Sequence, residues 1–289
     1  MRRRSFFPVI ASAMTATTAR PADASARQNP KMTLLNAPLE LGGNWEKSAL
    51  GDVAVVLERA RAACLEGVDL RSDHQPEKLR VDDHASGPPS IWLHSENPTT
   101  AWIVVDVHAQ DWCNLAYQFG HELGHVLCNS WQPDGAPGNP CQWVEESLVE
   151  AFSLRGLAHL AAAWETNPPA PGDNAYGHSI RTYRETIVNA DQQTAAQQGM
   201  AQGFGTWFRT QQAGFQQHGS LTESRGAVPT MLTLLESNPA AAADLGALNR
   251  WPGRSSLPLA DYLARWAASC AELGTTGILP AHIGELLKS

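Results

Sequence analysis

The chain has 289 residues, 21 lysines and arginines against 29 aspartates and glutamates, and a net charge of −8. With 43% hydrophobic and 17% charged residues it reads as one large globular domain or two closely packed ones, and not as a disordered chain. The acidic balance, with no Lys/Arg cluster after residue 26 to offset it, argues against nucleic acid or anionic lipid as partners, and no run of about 18 apolar residues predicts a membrane span.

The N-terminus, "MRRRSFFPVIASAMTATTARPADASARQ", carries a basic start, a mild Ala/Thr-rich apolar stretch and a small-residue "ASA". Residues 1–26 are therefore expected to be an export signal, of twin-arginine type by "RRSFF", with the mature protein periplasmic or secreted. In "SALGDVAVVLERARAACLEG", Val53, Val56, Leu57, Ala60 and Cys64 recur at helical spacing and predict a helix over Ser48–Gly67. "EKLRVDD" and "PSIWLHS" read as short strands and "TAWIVVDVH" as a stronger one, the last two joined by the turn "ENPTT". A helix follows in "NLAYQFGHELGHVLCNSW", where Leu115, Phe119, Leu123 and Val126 form the core face. After the Pro/Gly loop "QPDGAPGNP", a second helix is expected from near Cys141 through Trp164. The loop "ETNPPAPGDNAYG" then marks a boundary between a core, residues 27–165, and a mainly helical lobe, residues 166–289. In that lobe Phe204, Phe208 and Phe215 keep helical spacing, and "LPLADYLARWAASCAELG" is a late amphipathic helix.

The letters "HELGH" carry the chemistry. Residues i and i+4 lie one turn apart on one helix face, so His121 and His125 can each present a nitrogen about 2 Å from one Zn²⁺. Glu122, about 100° around the helix, lies beside the metal as a base for its water. Zinc needs a third protein ligand and, for catalysis, one open position. A metzincin pattern fails, because Cys128 and Trp131 stand where it needs glycine and histidine. The second helix offers "WVEESLVEAF", with Glu146 and Glu150 at i, i+4. One carboxylate could bind metal while the other holds a ligand imidazole by its second nitrogen.

This combination resembles the gluzincins, the thermolysin-like and aminopeptidase-like metallopeptidases, over roughly residues 100–153. The resemblance implies a zincin-like α+β fold, with a small mixed sheet over the HExxH helix, a helical lobe completing the cleft, and "AWIVVDV" as the edge on which an extended peptide lies. It implies one Zn²⁺ bound by His121, His125 and Glu146, with Glu150 holding a ligand histidine and Glu122 as general base in peptide hydrolysis. Glu145 stands where such families often have a substrate-binding Asn. It has Val149 at i+4, where Glu146 has Glu150, so it is expected to act on substrate and not on metal. With no "G-x-M-E-N" motif, an endopeptidase is expected over an aminopeptidase. The oxyanion donor stays open among Tyr176, His178, Arg181, Tyr183 and His218.

Other readings compete. Cys128 lies on the metal face and could complete a His₂Cys structural site, although Glu122 and the Glu146/Glu150 pair would then be unexplained. In an exported protein five cysteines suggest disulfides with one left over, Cys128 and Cys141 being placed to pair across the loop. An exported non-catalytic zinc module that binds a protein partner, and a zinc hydrolase of a non-peptide substrate, remain the rivals to a peptidase.

Overall fold

The computed structural model describes residues 34–289 apart from 47, 70, 85, 86 and 171. The expected export signal lies outside the described residues. The chain is α+β, with a small mixed sheet and a majority of helix. Strand β1 (Leu39–Gly43) leads through helix α1 (Leu50–Cys64) to β2 (Lys78–Asp83), and β3 (Ser90–Ile91) turns back into β4 (Thr100–Val105). The sheet order is β1-β2-β4-β3, with the first two pairings parallel and β3 antiparallel to β4. Alternation does the sorting: Leu79, Val81, Ala101, Ile103 and Val105 are fully buried, while Arg80 and Trp102 lie on the opposite face and stack, the guanidinium carbon 3.9 Å from the ring centroid.

This order corrects one expectation. "AWIVVDV" is β4, paired on both sides and so interior to the sheet; the edge strands are β1 and, beside β4, β3. That strand is only two residues long, prolonged by a bond from the Trp92 N–H to the Trp102 carbonyl at 2.8 Å.

Helix α2 (Trp112–Leu127) packs beneath β3 and β4. Its first turn is capped by Asp111, whose carboxylate accepts from the Asn114 N–H at 3.3 Å. It ends at Cys128, followed by Asn129 in the left-handed region at φ 64°. Leu115, Phe119, Leu123 and Val126 are fully buried, as their spacing predicts. Helix α3 (Gln142–Thr166) is buried on every side from Trp143 to Leu157, which makes it the central element. It packs against α1, α2, α4 (Tyr176–Gln197) and α7 (Val228–Ser237).

Two glycines of α2 set how closely it meets α3. A Cβ on Gly124 would lie 2.8 Å from Val149 Cβ, and one on Gly120 2.8 Å from Ser153 Oγ. The glycine between the histidines therefore serves interhelical approach, letting the glutamates of α3 reach the imidazoles of α2. The remaining helices, α5 (Phe204–Phe215), α6 (Leu221–Ser224), α8 (Leu259–Leu273) and α9 (Ile278–Leu286), continue one apolar core with the first half. Trp143, three residues before Glu146, stacks on Phe215 of α5 at 5.1 Å and meets Trp207 edge-on at 5.7 Å. This aromatic cluster anchors the start of α3.

All five cysteines are free and buried. The expected Cys128–Cys141 bridge is not formed: the Cys141 thiol donates to the Leu257 carbonyl at 3.2 Å, while Cys128 is enclosed at the end of α2. Among the described residues, no helix is long and apolar enough to cross a membrane.

Candidate metal centre

Helices α2 and α3 bring His121, His125 and Glu146 together, with one ligand atom from each lying within 4.8 Å of the others. Glu146 Oε2 is 3.7 Å from His121 Nε2 and 3.8 Å from His125 Nε2. An ion bound tetrahedrally at about 2.0–2.2 Å separates its ligand atoms by roughly 3.3–3.6 Å, so Glu146 stands within a few tenths of an ångström of that spacing from each imidazole. The three side chains are 8–9% exposed, and the set can hold a metal ion.

Each ligand is oriented from behind. His121 Nδ1 meets Glu150 Oε2 at 2.9 Å, and the other Glu150 oxygen accepts from the Tyr117 hydroxyl at 2.7 Å. His125 Nδ1 meets Glu145 Oε1 at 2.7 Å. The other Glu145 oxygen accepts from Asn249 Nδ2 at 2.6 Å. Glu146 Oε1 accepts from Gln142 Nε2 at 3.2 Å, leaving Oε2 facing the two imidazoles. With both Nδ1 atoms engaged by carboxylates, a neutral ring keeps its proton there and has its Nε2 lone pair free for the shared point.

Glu145 lines the smaller cavity, but both of its oxygens are engaged, by His125 and by Asn249. It is 1% exposed and does for His125 what Glu150 does for His121. The i+4 argument missed this because it considered α3 alone: adjacent residues of α3 reach different turns of α2.

The electrostatics follow from burial and pairing. Burial pulls the His121 ring down, but its hydrogen bonds to Glu146 and Glu150 outweigh this and raise its pKa well above the usual value. His125 is raised on the same balance, chiefly by Glu145. Burial raises Glu146, yet the imidazoles win and bring it down to about 2. For Glu122 burial wins and its pKa is raised, although His121 and His125 pull it back. Glu122 is 3% exposed and, among the described residues, has no hydrogen-bond donor to its carboxylate.

Two cavities flank this carboxylate and share Pro89, His121, Glu122 and Glu146. One, of about 290 Å³, runs under β3 past Ser90, Ile91 and Leu93. The other, of about 430 Å³, runs past Tyr117, Gln118, Ser220, Thr222 and Arg225. The Arg225 guanidinium is held by Asp191 at 2.8 Å and lies 4.0 Å from Glu150. Burial raises the Asp191 pKa to about 6, against the pull of Arg225.

None of the five residues considered for the oxyanion lines either cavity. The Tyr176 hydroxyl accepts from the Cys113 thiol at 3.3 Å and the Tyr183 hydroxyl donates to Asn114 at 3.1 Å, both near the start of α2. His178, Arg181 and His218 are exposed, Arg181 in a pair with Glu165. Cys128 is fully buried and is not among the residues grouped at the metal point. Sequence reasoning missed Tyr117, Arg225 and Asn249. Only Tyr117 left a signal, lying one turn before His121 on the same face.

Comparison with known protein families, curated proteins and solved structures finds no match for this chain.

Proposed function

We propose that the chain is an exported zinc metallopeptidase of gluzincin type, with the sheet set over α2 in the zincin manner. The observation that carries this reading is Glu122, a buried carboxylate beside a three-ligand metal point, facing both cavities and engaged by no donor. A structural metal site is closed by four protein ligands; three ligands and an idle carboxylate suit a site that handles water. Two imidazoles and one carboxylate are a zinc donor set. When bound there, zinc would supply Lewis acidity, polarising a carbonyl and lowering the pKa of water towards 7.

The protein's own part is positioning and proton transfer. Glu122 takes the proton of the attacking water and delivers it to the leaving nitrogen; its raised pKa suits a group that must both accept and return a proton near neutrality. The peptide lies along β3, whose Ser90 and Ile91 line the cleft, and extended pairing to that edge would hold the scissile bond over Glu122. Room on both sides of Glu122 favours cleavage inside a chain over removal of a terminal residue. Arg225, the guanidinium in the larger cavity, is available to an anionic part of the substrate or to the carbonyl oxygen on that side.

The test is Glu122→Gln. The variant should retain zinc while losing at least about a hundredfold in rate. N-terminal profiling of a proteome digest should show new termini with wild type and not with the variant. Zinc loss matching that of His121→Ala, or identical termini from both proteins, would overturn the assignment.

A further inference from the structure

We infer that Asn249, from the segment preceding α8, is a positioning residue for the metal: it fixes the Glu145 carboxylate that keeps the His125 proton on Nδ1. The inference rests on the reading of His125 as a metal ligand and goes beyond it, to how the C-terminal half completes a site whose ligands all lie on α2 and α3.

The argument begins with what a neutral imidazole needs. To offer Nε2 to a cation, the ring must carry its proton on Nδ1, and a buried N–H needs an acceptor. Glu145 Oε1 provides it at 2.7 Å. A carboxylate held at one oxygen can still swing about its own torsions, and an unpaired buried oxygen is costly. Asn249 Nδ2 meets that second oxygen at 2.6 Å. The same nitrogen lies 3.3 Å from the Cys128 carbonyl and 3.1 Å from Ser130 Oγ, both just after the end of α2.

The partners settle which way the amide faces. The Cys128 carbonyl and the Glu145 carboxylate only accept, so the NH₂ must point at them; a flipped amide would set oxygen against oxygen. On the other side, the Tyr262 hydroxyl of α8 donates to Asn249 Oδ1 at 3.3 Å, and Tyr262 is fully buried. The backbone fits the task, since Asn249 sits at φ 56°, a left-handed conformation that asparagine tolerates far better than most residues. Tyr262, Asn249, Glu145 and His125 form one buried line into the metal point. His121 differs: the Glu150 behind it is tied by Tyr117, from the ligand helix itself.

Asn249→Gly removes the amide and keeps the left-handed backbone, and Tyr262→Phe removes only the hydroxyl. Zinc affinity is measured by competition with a chromophoric chelator, beside the melting temperature of the metal-free protein. The His125 tautomer in the metal-free protein is read from its ¹⁵N shifts at a pH high enough for the ring to be neutral. Asn249→Gly should lose about tenfold to a hundredfold in zinc affinity, as losses behind a ligand do, and shift the tautomer from Nδ1–H. Tyr262→Phe should move both in the same direction by less. Because the residues act in series, Asn249→Gly combined with Glu145→Gln should bind zinc no more weakly than Glu145→Gln alone. Affinity within about twofold of wild type in both single variants, or fully additive losses in the double, would overturn the inference. If wild type cleaves no peptide yet these zinc differences hold, the peptidase reading fails and this one stands. Intact cleavage with unchanged zinc affinity would show the reverse.

Discussion

Gly124→Ala tests whether the approach of α2 to α3 is what makes the metal point. The added Cβ would lie 2.8 Å from Val149 Cβ, 3.0 Å from Cγ1 and 3.2 Å from Cα. Carbon atoms rest about 3.5–4.0 Å apart, so the helices must separate locally by roughly 0.7–1.2 Å on that contact. Metal–ligand distances tolerate only about 0.2 Å, and the ligands sit on opposite sides of this contact. The stability cost is smaller: overpacking costs about 1–3 kcal/mol, and replacing a mid-helix glycine by alanine returns up to about 1 kcal/mol. The variant should therefore fold, melt somewhat earlier and bind zinc at least about tenfold more weakly, a change of about 1.4 kcal/mol or more. The assay pairs thermal melting of the metal-free protein with chelator competition. A second change sharpens it. Val149→Ala leaves the 2.8 Å Cβ contact in place and should restore nothing, whereas Val149→Gly removes it and should recover zinc affinity despite its own helix cost. Gly120→Ala meets first a hydroxyl, Ser153 Oγ, which can rotate away, so its effect should be the smaller. Zinc binding within about twofold of wild type in Gly124→Ala, with the expected loss of stability, would refute the link between helix approach and metal geometry.

The remaining expectations concern the carboxylates and pH. Glu146→Ala should weaken zinc binding by orders of magnitude, while Glu145→Gln and Glu150→Gln should each cost about tenfold to a hundredfold; a Glu145→Gln variant that keeps full affinity and alters only KM would restore its assignment to substrate. In the metal-free protein, His121 and His125 have raised folded-state pKa values, so their contribution to stability is fully present below about 6.5, the unfolded value, and is lost as pH rises through the folded values. Glu146, brought down to about 2, contributes above its unfolded value and loses that as pH falls. Melting scans should thus show the chelated protein losing stability from mildly acidic to alkaline pH, and zinc affinity rising over the same range as protons leave the imidazoles; a chelated protein that gains stability across that range would show that the imidazoles are not held as the geometry implies.

The parts of this arrangement written in local periodicity were legible in the sequence. His121, Glu122 and His125 share a face because a helix repeats every 3.6 residues, and Glu146 with Glu150 follows the same rule on α3. The buried stripe of α2 was readable for the same reason. What depends on the crossing of two helices was not: the role of Glu145 needs α3 placed against α2, and the small side of Gly124 reveals its use only once Val149 is opposite. Asn249 and Arg225 reach the site from the C-terminal half, where no spacing rule links them to HELGH. Tyr176 and Tyr183 were considered because enzymes of the resembled family draw the oxyanion donor from a later segment; α4 starts at Tyr176, and both hydroxyls bond near the start of α2. Strand β1 was missed because "LELGG" is short, half-exposed and glycine-ended, and β4 was taken for the edge because the gluzincin resemblance implied it, the two-residue strand outside it being too short to signal otherwise.

Charge balance separates a structural polar network from a reactive centre. Glu122, Glu145, Glu146 and Glu150 are all buried around two imidazoles. Removing a carboxylate from water carries a penalty of several kcal/mol per ion even after relaxation, and Arg225, at 4.0 Å from Glu150, offsets one of them in part. Protonated imidazoles can offset more, which is why their pKa values rise, and a divalent cation at the two Nε2 atoms would offset them while keeping the same Nδ1 hydrogen bonds. Three of the carboxylates are placed by donors: Glu145 by Asn249, Glu146 by Gln142 and Glu150 by Tyr117. If the cluster served only to hold α2 against α3, the fourth would be a cost that the imidazoles offset only in part, and Glu122→Gln or Glu122→Leu would stabilise the protein. Glu122 faces both cavities without a donor, and the proposed exchange of a proton with a group that enters the cleft would account for a carboxylate kept in that state.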